Sequence, residues 1–212
     1  VDCGSSSTKG MGEYIAVPYL TKRGITEADA VFISHWDEDH YSGLNDLLNS
    51  HIKVNRIFSS RNNESYKDVQ ELNVGFQLKF DDYLNIKILW PYKNFILNNT
   101  NNSSLVISLN YNNRNILLPG DIEEEAEYAL YNELNKYDIV LVPHHGSKTS
   151  STVQFVDAVR PEIAVLSYGR NYYGIPSKDV VLRYENAGSK VFSTFEDGEI
   201  NIILKDDNLY YN

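Results

Sequence analysis

Short apolar runs of five to seven residues recur along the chain and are typical of buried strands. The runs that we assign to strands are Ala30–Ser34, Lys53–Ser59, Leu84–Trp90, Leu105–Asn110, Asn115–Pro119, Ile139–Pro143, Ile163–Ser167, Lys190–Thr194 and Glu199–Leu204. Helical patterns lie between some of them, at Gly43–Ser50, Glu123–Leu134, Ser151–Ala158 and Lys178–Ala187. Gly188 is expected at the C′ position that ends the last helix. The alternation indicates an α/β fold, and strands that follow one another directly predict hairpins and more than one sheet.

The most polar run, Asn98–Ser104 (NNTNNSS), interrupts this pattern and is expected to be a solvated loop. No sequence repeat or long linker is present, and 212 residues suffice for one domain with a substantial core. We therefore predict a single domain over residues 1–212.

The net charge of −10 argues against a basic surface that grips nucleic acid by neutralising phosphates. It leaves a phosphate substrate open, because bound divalent metal supplies positive charge that a residue count omits. The single cysteine, Cys3, excludes an internal disulfide framework and a cysteine-based zinc site.

No apolar stretch approaches the ~20 residues that span a bilayer, and the pattern of a signal peptide is absent. The chain begins at Val1 rather than at a methionine. We therefore expect a fragment of a longer protein, in which a membrane segment or targeting sequence could lie upstream.

The first chemistry-bearing stretch is SHWDEDH, which directly follows the predicted strand that ends at Ser34. Histidine and carboxylate side chains are ligands of divalent metals, and a short loop after a strand can direct several of them at one centre. His35, Asp37, Asp39 and His40 could give two ligands to each of two adjacent ions. A solvated acidic loop is the alternative, and the H-x-D-x-D-H pattern favours metal.

The second stretch is LLPGD, where a strand ends and Asp121 precedes a predicted helix. An aspartate in that position is most simply a helix N-cap. It gains interest because two ions about 3.5–4 Å apart need a bridging carboxylate.

The third stretch is VPHHGSKTSS, in which a strand ends in His144 and His145. One imidazole could complete the coordination of a metal, and the other could donate a proton or contact a phosphate. The polar residues after them precede a predicted helix, whose N-terminus favours an anion. The alternative is a polar loop in which Ser150 or Ser151 caps the helix.

Three strand ends thus carry metal-binding residue types and four of the five histidines, and His51 is expected at the surface. Imidazoles and carboxylates without cysteine suit zinc or manganese in a catalytic site with two ions. The sequence therefore predicts a dinuclear metal hydrolase.

These residues closely resemble the metallo-β-lactamase-like domain at the C-terminal end of ComEC-type DNA-uptake proteins. The similarity covers nearly the whole chain in order, in VDCGSS, SHWDEDHYSGL, NNSSLV, LLPGD, VPHHGSKTSS, AVLSYGRNYYGIPSKDVV and STFEDGEINI. It implies an α/β fold with four layers, αββα, and a metal site at the rim between two sheets. It also implies a nuclease that degrades one DNA strand while the other enters the cell.

The resemblance implies that two divalent ions, zinc or manganese, are bound by the three strand ends. His35 and Asp37 would bind one ion, Asp39, His40 and His144 the other, and Asp121 would bridge, with His145 the alternative to His144. Asp39 and His145 are expected to act in catalysis. Contacts to substrate are expected from Asn102, Ser147, Lys148 and Ser150.

Two departures from the family pattern bear on activity. The family opens with a hairpin that carries D-V-G-Q-G-D, and this chain lacks it, so the hairpin is either trimmed or absent. The family's G-H-P reads Gly174-Ile175-Pro176 here, so a histidine that could contact metal or phosphate is replaced.

We expect a phosphodiester hydrolase that acts on single-stranded DNA. The alternatives are a hydrolase of a small phosphodiester or a lactone, which the acidic charge favours, and a metal-binding module with little turnover. The resemblance also implies a membrane channel domain upstream in the parent protein, which would tether this domain outside the cytoplasm. Without such a domain, a cytoplasmic protein is expected.

Overall fold

A computed structural model describes residues 1–80, 82–95, 99–205 and 208–211, which form a mixed α/β fold. The strands are β1 (Glu27–Ala28), β2 (Val31–Ile33), β3 (Lys53–Val54), β4 (Ile57–Ser59), β5 (Val69–Glu71), β6 (Gln77–Lys79), β7 (Leu84–Trp90), β8 (Val106–Tyr111), β9 (Arg114–Leu118), β10 (Ile139–Leu141), β11 (Ile163–Leu166), β12 (Lys190–Ser193), β13 (Ile202–Lys205) and β14 (Asn208–Tyr211). The α-helices are α1 (Val17–Lys22), α2 (Glu38–Tyr41), α3 (Leu44–Leu48), α4 (Glu124–Leu130), α5 (Val153–Val159), α6 (Lys178–Asn186) and α7 (Thr194–Asp197). A π-helical turn at Gly12–Ala16 leads into α1, and 3₁₀ turns lie at Asn101–Ser103, Tyr131–Glu133 and Pro143–Gly146.

Most of the predicted elements are confirmed, with ends that differ by at most four residues. Strand β7 has the predicted bounds, and Gly188 follows α6 with φ of 88°, as a C′ glycine should. The run Lys53–Ser59 was expected to be one strand and is two, β3 and β4. The helical segment Gly12–Lys22 was not predicted from the sequence.

The chain divides into two compact units, Val1–Leu72 with Ile96–Leu105 and Asn73–Phe95 with Val106–Asn212. The first unit has a parallel sheet in the order β2-β4-β5 and a parallel pair of β1 with β3. Its core lies between β2 and α3 and contains Val31, Ile33, Leu44, Leu47 and Ile52. The loop after β2 therefore starts from a strand that is packed in this core.

The second unit contains a mixed sheet of seven strands in the order β12-β11-β10-β9-β8-β7-β6, besides the hairpin of β13 and β14. Strands β6 to β9 pair as antiparallel hairpins, and β9 to β12 pair in parallel with α4, α5 and α6 in the connections. Because parallel strands end at one edge, the segments after β9, β10 and β11 lie together at the carboxyl edge of this sheet.

Among the described residues, no helix combines the length and the hydropathy that crossing a bilayer requires.

Candidate metal centre

The loop after β2 brings two buried imidazoles together in the first unit. His35 is 0% exposed and His40 is 4% exposed, and their ring centroids lie 4.1 Å apart. Asp37 occupies the N-cap position of α2 with an extended backbone, and its Oδ2 atom lies 3.5 Å from Nε2 of His35. Asp39 is half-buried in the first turn of α2. The predicted loop thus places both histidines and Asp37 at one point.

Asp2 orients this pair, and its role was not predicted from the sequence. Its Oδ2 atom lies 2.9 Å from Nδ1 of His40, and its carboxylate accepts hydrogen bonds from the backbone N–H of Ser34 at 2.7 Å and the Ser34 hydroxyl at 2.8 Å. A carboxylate only accepts, so Nδ1 of His40 carries the proton and Nε2 carries the lone pair. This is the arrangement in which a carboxylate orients a metal-binding histidine.

The backbone around Asp2 is fitted closely to the histidine loop. The N–H of Cys3 donates to the carbonyl of His40 at 2.8 Å, and the N–H of Asp2 donates to the carbonyl of Phe32 at 2.8 Å. A Cβ atom on Gly4 would lie 2.6 Å from the carbonyl carbon of His40. Only glycine permits this approach, which explains the D-C-G sequence beside the loop.

Hydroxyl groups hold the other imidazole in the matching orientation. Nδ1 of His35 lies 3.1 Å from Oγ of Ser34 and 3.2 Å from Oγ of Ser104. Since the Ser34 hydroxyl donates to Asp2, it accepts from Nδ1 of His35. The lone pair of His35 is therefore on Nε2, as in His40.

The expectation of a solvated loop at Asn98–Ser104 is wrong for its described end. Asn102, Ser103 and Ser104 are 2%, 4% and 0% exposed. The Thr100 hydroxyl donates to Oδ2 of Asp37 at 3.2 Å, while Asn98 lies outside the described residues. Polar composition misled the prediction, because the Ser104 hydroxyl is buried where it lies 3.2 Å from Nδ1 of His35.

In the second unit, Asp121 and the two adjacent histidines follow the neighbouring parallel strands β9 and β10. Oδ2 of Asp121 lies 3.5 Å from Nε2 of His145 and 3.9 Å from Nε2 of His144. Asp121 is 5% exposed, and Glu123, not Asp121, occupies the N-cap of α4. The simple capping interpretation of Asp121 is therefore wrong, and the carboxylate faces the histidines.

The two histidines are held by different partners. Nδ1 of His145 lies 2.7 Å from the carbonyl oxygen of Ser167, so it donates there and Nε2 carries the lone pair. Nδ1 of His144 lies 3.3 Å from Oε1 of Glu123, which also accepts from the Thr149 hydroxyl at 2.8 Å. His145 is thus oriented by a backbone carbonyl, as metal-binding histidines often are. His144 instead has the Glu123 carboxylate beside its Nδ1.

The backbone of this turn is strained at both histidines. His144 has φ and ψ of 49° and 43°, and His145 has 54° and 21°. Such left-handed conformations cost about 1–2 kcal/mol for each non-glycine residue. They persist where surroundings enforce them, here through the bond from the N–H of His144 to the carbonyl of Gly120 at 3.1 Å.

The three predicted substrate contacts in this loop differ in accessibility. Lys148 is exposed, and Ser147 is buried with its Oγ 3.0 Å from Oγ1 of Thr149. Ser150 is buried and donates to the carbonyl of Pro143 at 2.9 Å. Thr152 caps α5, so the predicted cap at Ser150 or Ser151 is wrong.

Glu127 supports the loop from α4, and no sequence signal singled it out. It is 1% exposed and accepts from the backbone N–H of Ser151 at 2.5 Å and of Thr152 at 2.8 Å. Burial raises the pKa of this carboxyl to about 7, against the hydrogen bonds, which lower it. Arg183 donates to the carbonyl of Ser151 at 2.8 Å and completes the brace.

The segment around Ile175 lies beside the histidine turn within this unit. The N–H of Ser177 donates to the carbonyl of Gly146 at 2.8 Å. Ile175 is half-buried, and its carbonyl accepts from Nδ2 of Asn171 at 2.7 Å. A histidine at position 175 would therefore stand next to the turn that carries His144 and His145.

The donor set of each unit fits a divalent transition metal. The first unit offers two imidazole Nε2 atoms and the carboxylates of Asp37 and Asp39, and the second offers Asp121 and an anchored imidazole. Nitrogen and oxygen donors without a thiolate suit zinc or manganese. Hydroxyl, carbonyl and carboxylate partners on Nδ1 are the supports that such ligands require.

Comparison with known proteins agrees with this chemistry. Residues 1–85 match the metallo-beta-lactamase superfamily. Recombination protein 2 of Haemophilus influenzae is 33% identical over 98% of this chain, and competence protein ComA of Neisseria gonorrhoeae is 30% identical over 89% of it. The chain spans only 26% and 27% of those relatives.

The fold agrees as well. The crystal structure of the metallo-beta-lactamase fold protein YhfI from Bacillus subtilis superposes with a TM-score of 0.56 at 10% identity, over 91% of this chain and 82% of that one. The chain therefore has the metallo-β-lactamase fold, matches the metallo-β-lactamase superfamily over residues 1–85, and is similar over nearly its whole length to part of the competence proteins.

Proposed function

We propose that the chain is a metal-dependent phosphodiester hydrolase that cleaves single-stranded DNA. The observation that carries the proposal is the pair of buried imidazoles, His35 and His40, whose Nδ1 atoms bond to hydroxyls and to Asp2. The hydrogen bonds on Nδ1 put the lone pair of each ring on Nε2, the atom through which histidines with such Nδ1 partners bind metal. The superfamily and the similarity to competence proteins support hydrolysis and a DNA substrate.

We assign the ligands by residue type and by their order along the chain. His35 and Asp37 would hold one ion and Asp39 and His40 a second, and Asp121 would supply a further carboxylate ligand. His145 would be a metal ligand, and His144 would remain outside the coordination. This exchange of the two histidines follows from the carbonyl of Ser167 on Nδ1 of His145.

Bound divalent ions supply an activated water and stabilise the charge that develops on the phosphate. His144 acts on the leaving group, because its ring is 19% exposed and Glu123 lies 3.3 Å from its Nδ1. Nε2 of His144 is the atom that would donate a proton to the departing oxygen, and Glu123 orients the ring through Nδ1. Asp39 would act as a metal ligand, and the strained turn fixes the direction of the His144 and His145 rings.

The DNA substrate is a proposal that rests on the relatives, of which this chain spans about a quarter. Their names connect them with recombination and competence. A channel domain elsewhere in the parent protein would then present one strand to this domain at the extracytoplasmic face of the membrane. Because the net charge is −10, the metal ions and contacts to bases must supply much of the affinity for a polyanion.

The test is hydrolysis of three substrates by the metal-loaded chain: a single-stranded oligonucleotide, its duplex, and bis(p-nitrophenyl) phosphate. We expect cleavage of the single strand and of the small ester, faster cleavage of the single strand than of the duplex, and no reaction in chelator. Cleavage of the small ester alone would indicate a small phosphodiester as substrate. Bound metal without either reaction would indicate a binding module and refute the proposal.

A further inference from the structure

The connection between β11 and α6 displays two adjacent tyrosine rings to solvent. Tyr172 is 99% exposed and Tyr173 is 86% exposed, which makes them the most exposed large hydrophobic side chains among the described residues. A tyrosine ring offers a large apolar face, and leaving two of them in water forgoes the stabilisation that burial would give. This exposure is unusual enough to suggest a binding surface.

The exposure is not the result of a loose loop. The side chain of Asn171 donates from Nδ2 to the carbonyls of Gly169 and Ile175, and its Oδ1 accepts from the N–H groups of Tyr173 and Ile175. One amide therefore ties both sides of the loop together. The two tyrosines are presented by a backbone that is already closed, so binding would cost little ordering entropy.

Both ends of the connection are anchored as well. The N–H of Tyr168 donates to the Thr194 hydroxyl at 2.9 Å, and the Tyr168 ring stacks on Phe195 with 5.6 Å between centroids. A third aromatic residue of the same connection is thus used for packing. Tyr172 and Tyr173, by contrast, remain exposed to solvent.

The loop lies at the carboxyl edge of the sheet, beside the turn that carries the two histidines. Ser177 donates to the carbonyl of Gly146, and a Cβ atom on Gly146 would lie 2.7 Å from Cβ of Pro176. The connection that carries the tyrosines therefore contacts the histidine turn through Pro176 and Ser177.

The nearby charges suit a nucleic acid that is bound chiefly through its bases. Arg170 on the loop and Lys148 on the histidine turn are exposed cations, and Lys178 follows at the start of α6 beside the acidic Asp179. So few cations cannot give the affinity that a basic groove provides. Stacking of bases on aromatic rings is the other main contribution in proteins that bind single strands.

We propose that Tyr172 and Tyr173 stack on unpaired bases next to the phosphodiester that the site cleaves. Bases in a duplex are already stacked and are not accessible to the rings, so this loop selects single-stranded over double-stranded DNA. The inference rests on the proposed phosphodiesterase function and names the residues that determine its substrate class.

The test is the affinity of the metal-loaded 212-residue chain for a fluorescein-labelled oligothymidine with phosphorothioate linkages, which resist cleavage, measured by fluorescence anisotropy. The double variant Tyr172→Ala/Tyr173→Ala should bind about 10- to 100-fold more weakly. Tyr172→Phe/Tyr173→Phe should bind as the wild type does, because the rings remain. Tyr83→Ala is the matched control, since Tyr83 is 60% exposed beside β7, near the opposite end of the sheet order from β11.

The circular dichroism spectrum and the bound metal content of the double alanine variant should equal those of the wild type, which would show an intact fold and site. Oligothymidine affinity that is unchanged in the double alanine variant, or undetectable in the wild type, would overturn the inference. Binding of the wild type, but not of the double alanine variant, to phospholipid vesicles would also overturn it, because this would identify a lipid surface as the partner of the tyrosines. If oligothymidine binding depends on the tyrosines but no phosphodiester is hydrolysed, the inference about base stacking is supported and the proposed function is wrong.

Discussion

The Nδ1 atom of His40 lies 2.9 Å from Oδ2 of Asp2, although the two residues are 38 positions apart in the sequence. The same carboxylate accepts two hydrogen bonds from Ser34, whose hydroxyl is also 3.1 Å from Nδ1 of His35. One carboxylate thus determines the orientation of His40 directly and of His35 through Ser34. Asp2 is a positioning residue for two of the proposed ligands.

Replacing Asp2 with asparagine should weaken metal binding about 10- to 100-fold, the usual effect of removing a carboxylate behind a ligating histidine. The amide nitrogen cannot accept the proton on Nδ1, so the ring loses its fixed tautomer. Isothermal titration with Mn²⁺ or Zn²⁺ measures the change, with the exposed Asp29→Asn as control. Wild-type affinity in the Asp2 variant would show that the carboxylate only supports the fold.

The two adjacent histidines should respond differently to the same substitution. His145→Asn should lose at least part of the bound metal, because His145 is the proposed ligand. His144→Asn should retain the metal and lose about 100- to 10,000-fold in rate, as expected for removal of a general acid. Asparagine tolerates the left-handed backbone at both positions, so the variants are matched. Metal analysis and turnover with the opposite pattern would restore His144 as the ligand.

The Ile175→His variant should raise phosphodiesterase activity without changing the metal stoichiometry. A histidine at this position could donate to the substrate phosphate or protonate the leaving group, which isoleucine cannot do. Ile175→Gln is the control, because glutamine is polar but cannot act as a general acid. An unchanged rate in an active enzyme would mean that position 175 is structural and that His144 supplies the acid chemistry.

Glu127 should make stability depend on pH. Its pKa is raised from an ordinary 4.5 to about 7, so the folded chain binds this proton more tightly than the unfolded chain does. Stability from this group is present below pH 4.5 and is lost as the pH rises to about 7, by at most about 3 kcal/mol.

Urea unfolding of the wild type and of Glu127→Gln at pH 5 and pH 8 measures this effect. Glutamine resembles the protonated acid, so the wild type should lose stability relative to the variant between the two pH values. The exposed Glu64→Gln should show no such difference. A wild-type advantage that grows with pH would mean that the hydrogen bonds from Ser151 and Thr152 outweigh burial.

The sequence was informative where chemistry is concentrated in one short segment. The run at Leu84–Trp90 is a strand with the predicted bounds, and the loop from His35 to His40 brings its histidines together because both lie within one turn after β2. Asp121 and the histidine pair could be predicted to lie near each other, because they end neighbouring parallel strands.

Other features depend on partners that are distant in sequence. Asp2 gives no periodic signal, and only the folded chain brings it to His40. The burial of Ser104 contradicts its polar surroundings, because its hydroxyl meets Nδ1 of His35, 69 residues away. The distinction between His144 and His145 follows from a carbonyl at Ser167, which no pattern around the histidines could indicate.

The most direct test of the account is hydrolysis of a single-stranded oligonucleotide as metal is returned to the chelated chain. We predict that the rate rises with bound Mn²⁺ or Zn²⁺, saturates near two ions per chain, and falls to background in chelator. Circular dichroism should stay unchanged throughout, because the apolar core does not depend on the metal. Asp121→Asn should bind at least one ion fewer and remain inactive. Cleavage that persists without metal, or its absence from a chain that has bound both ions, would contradict the account.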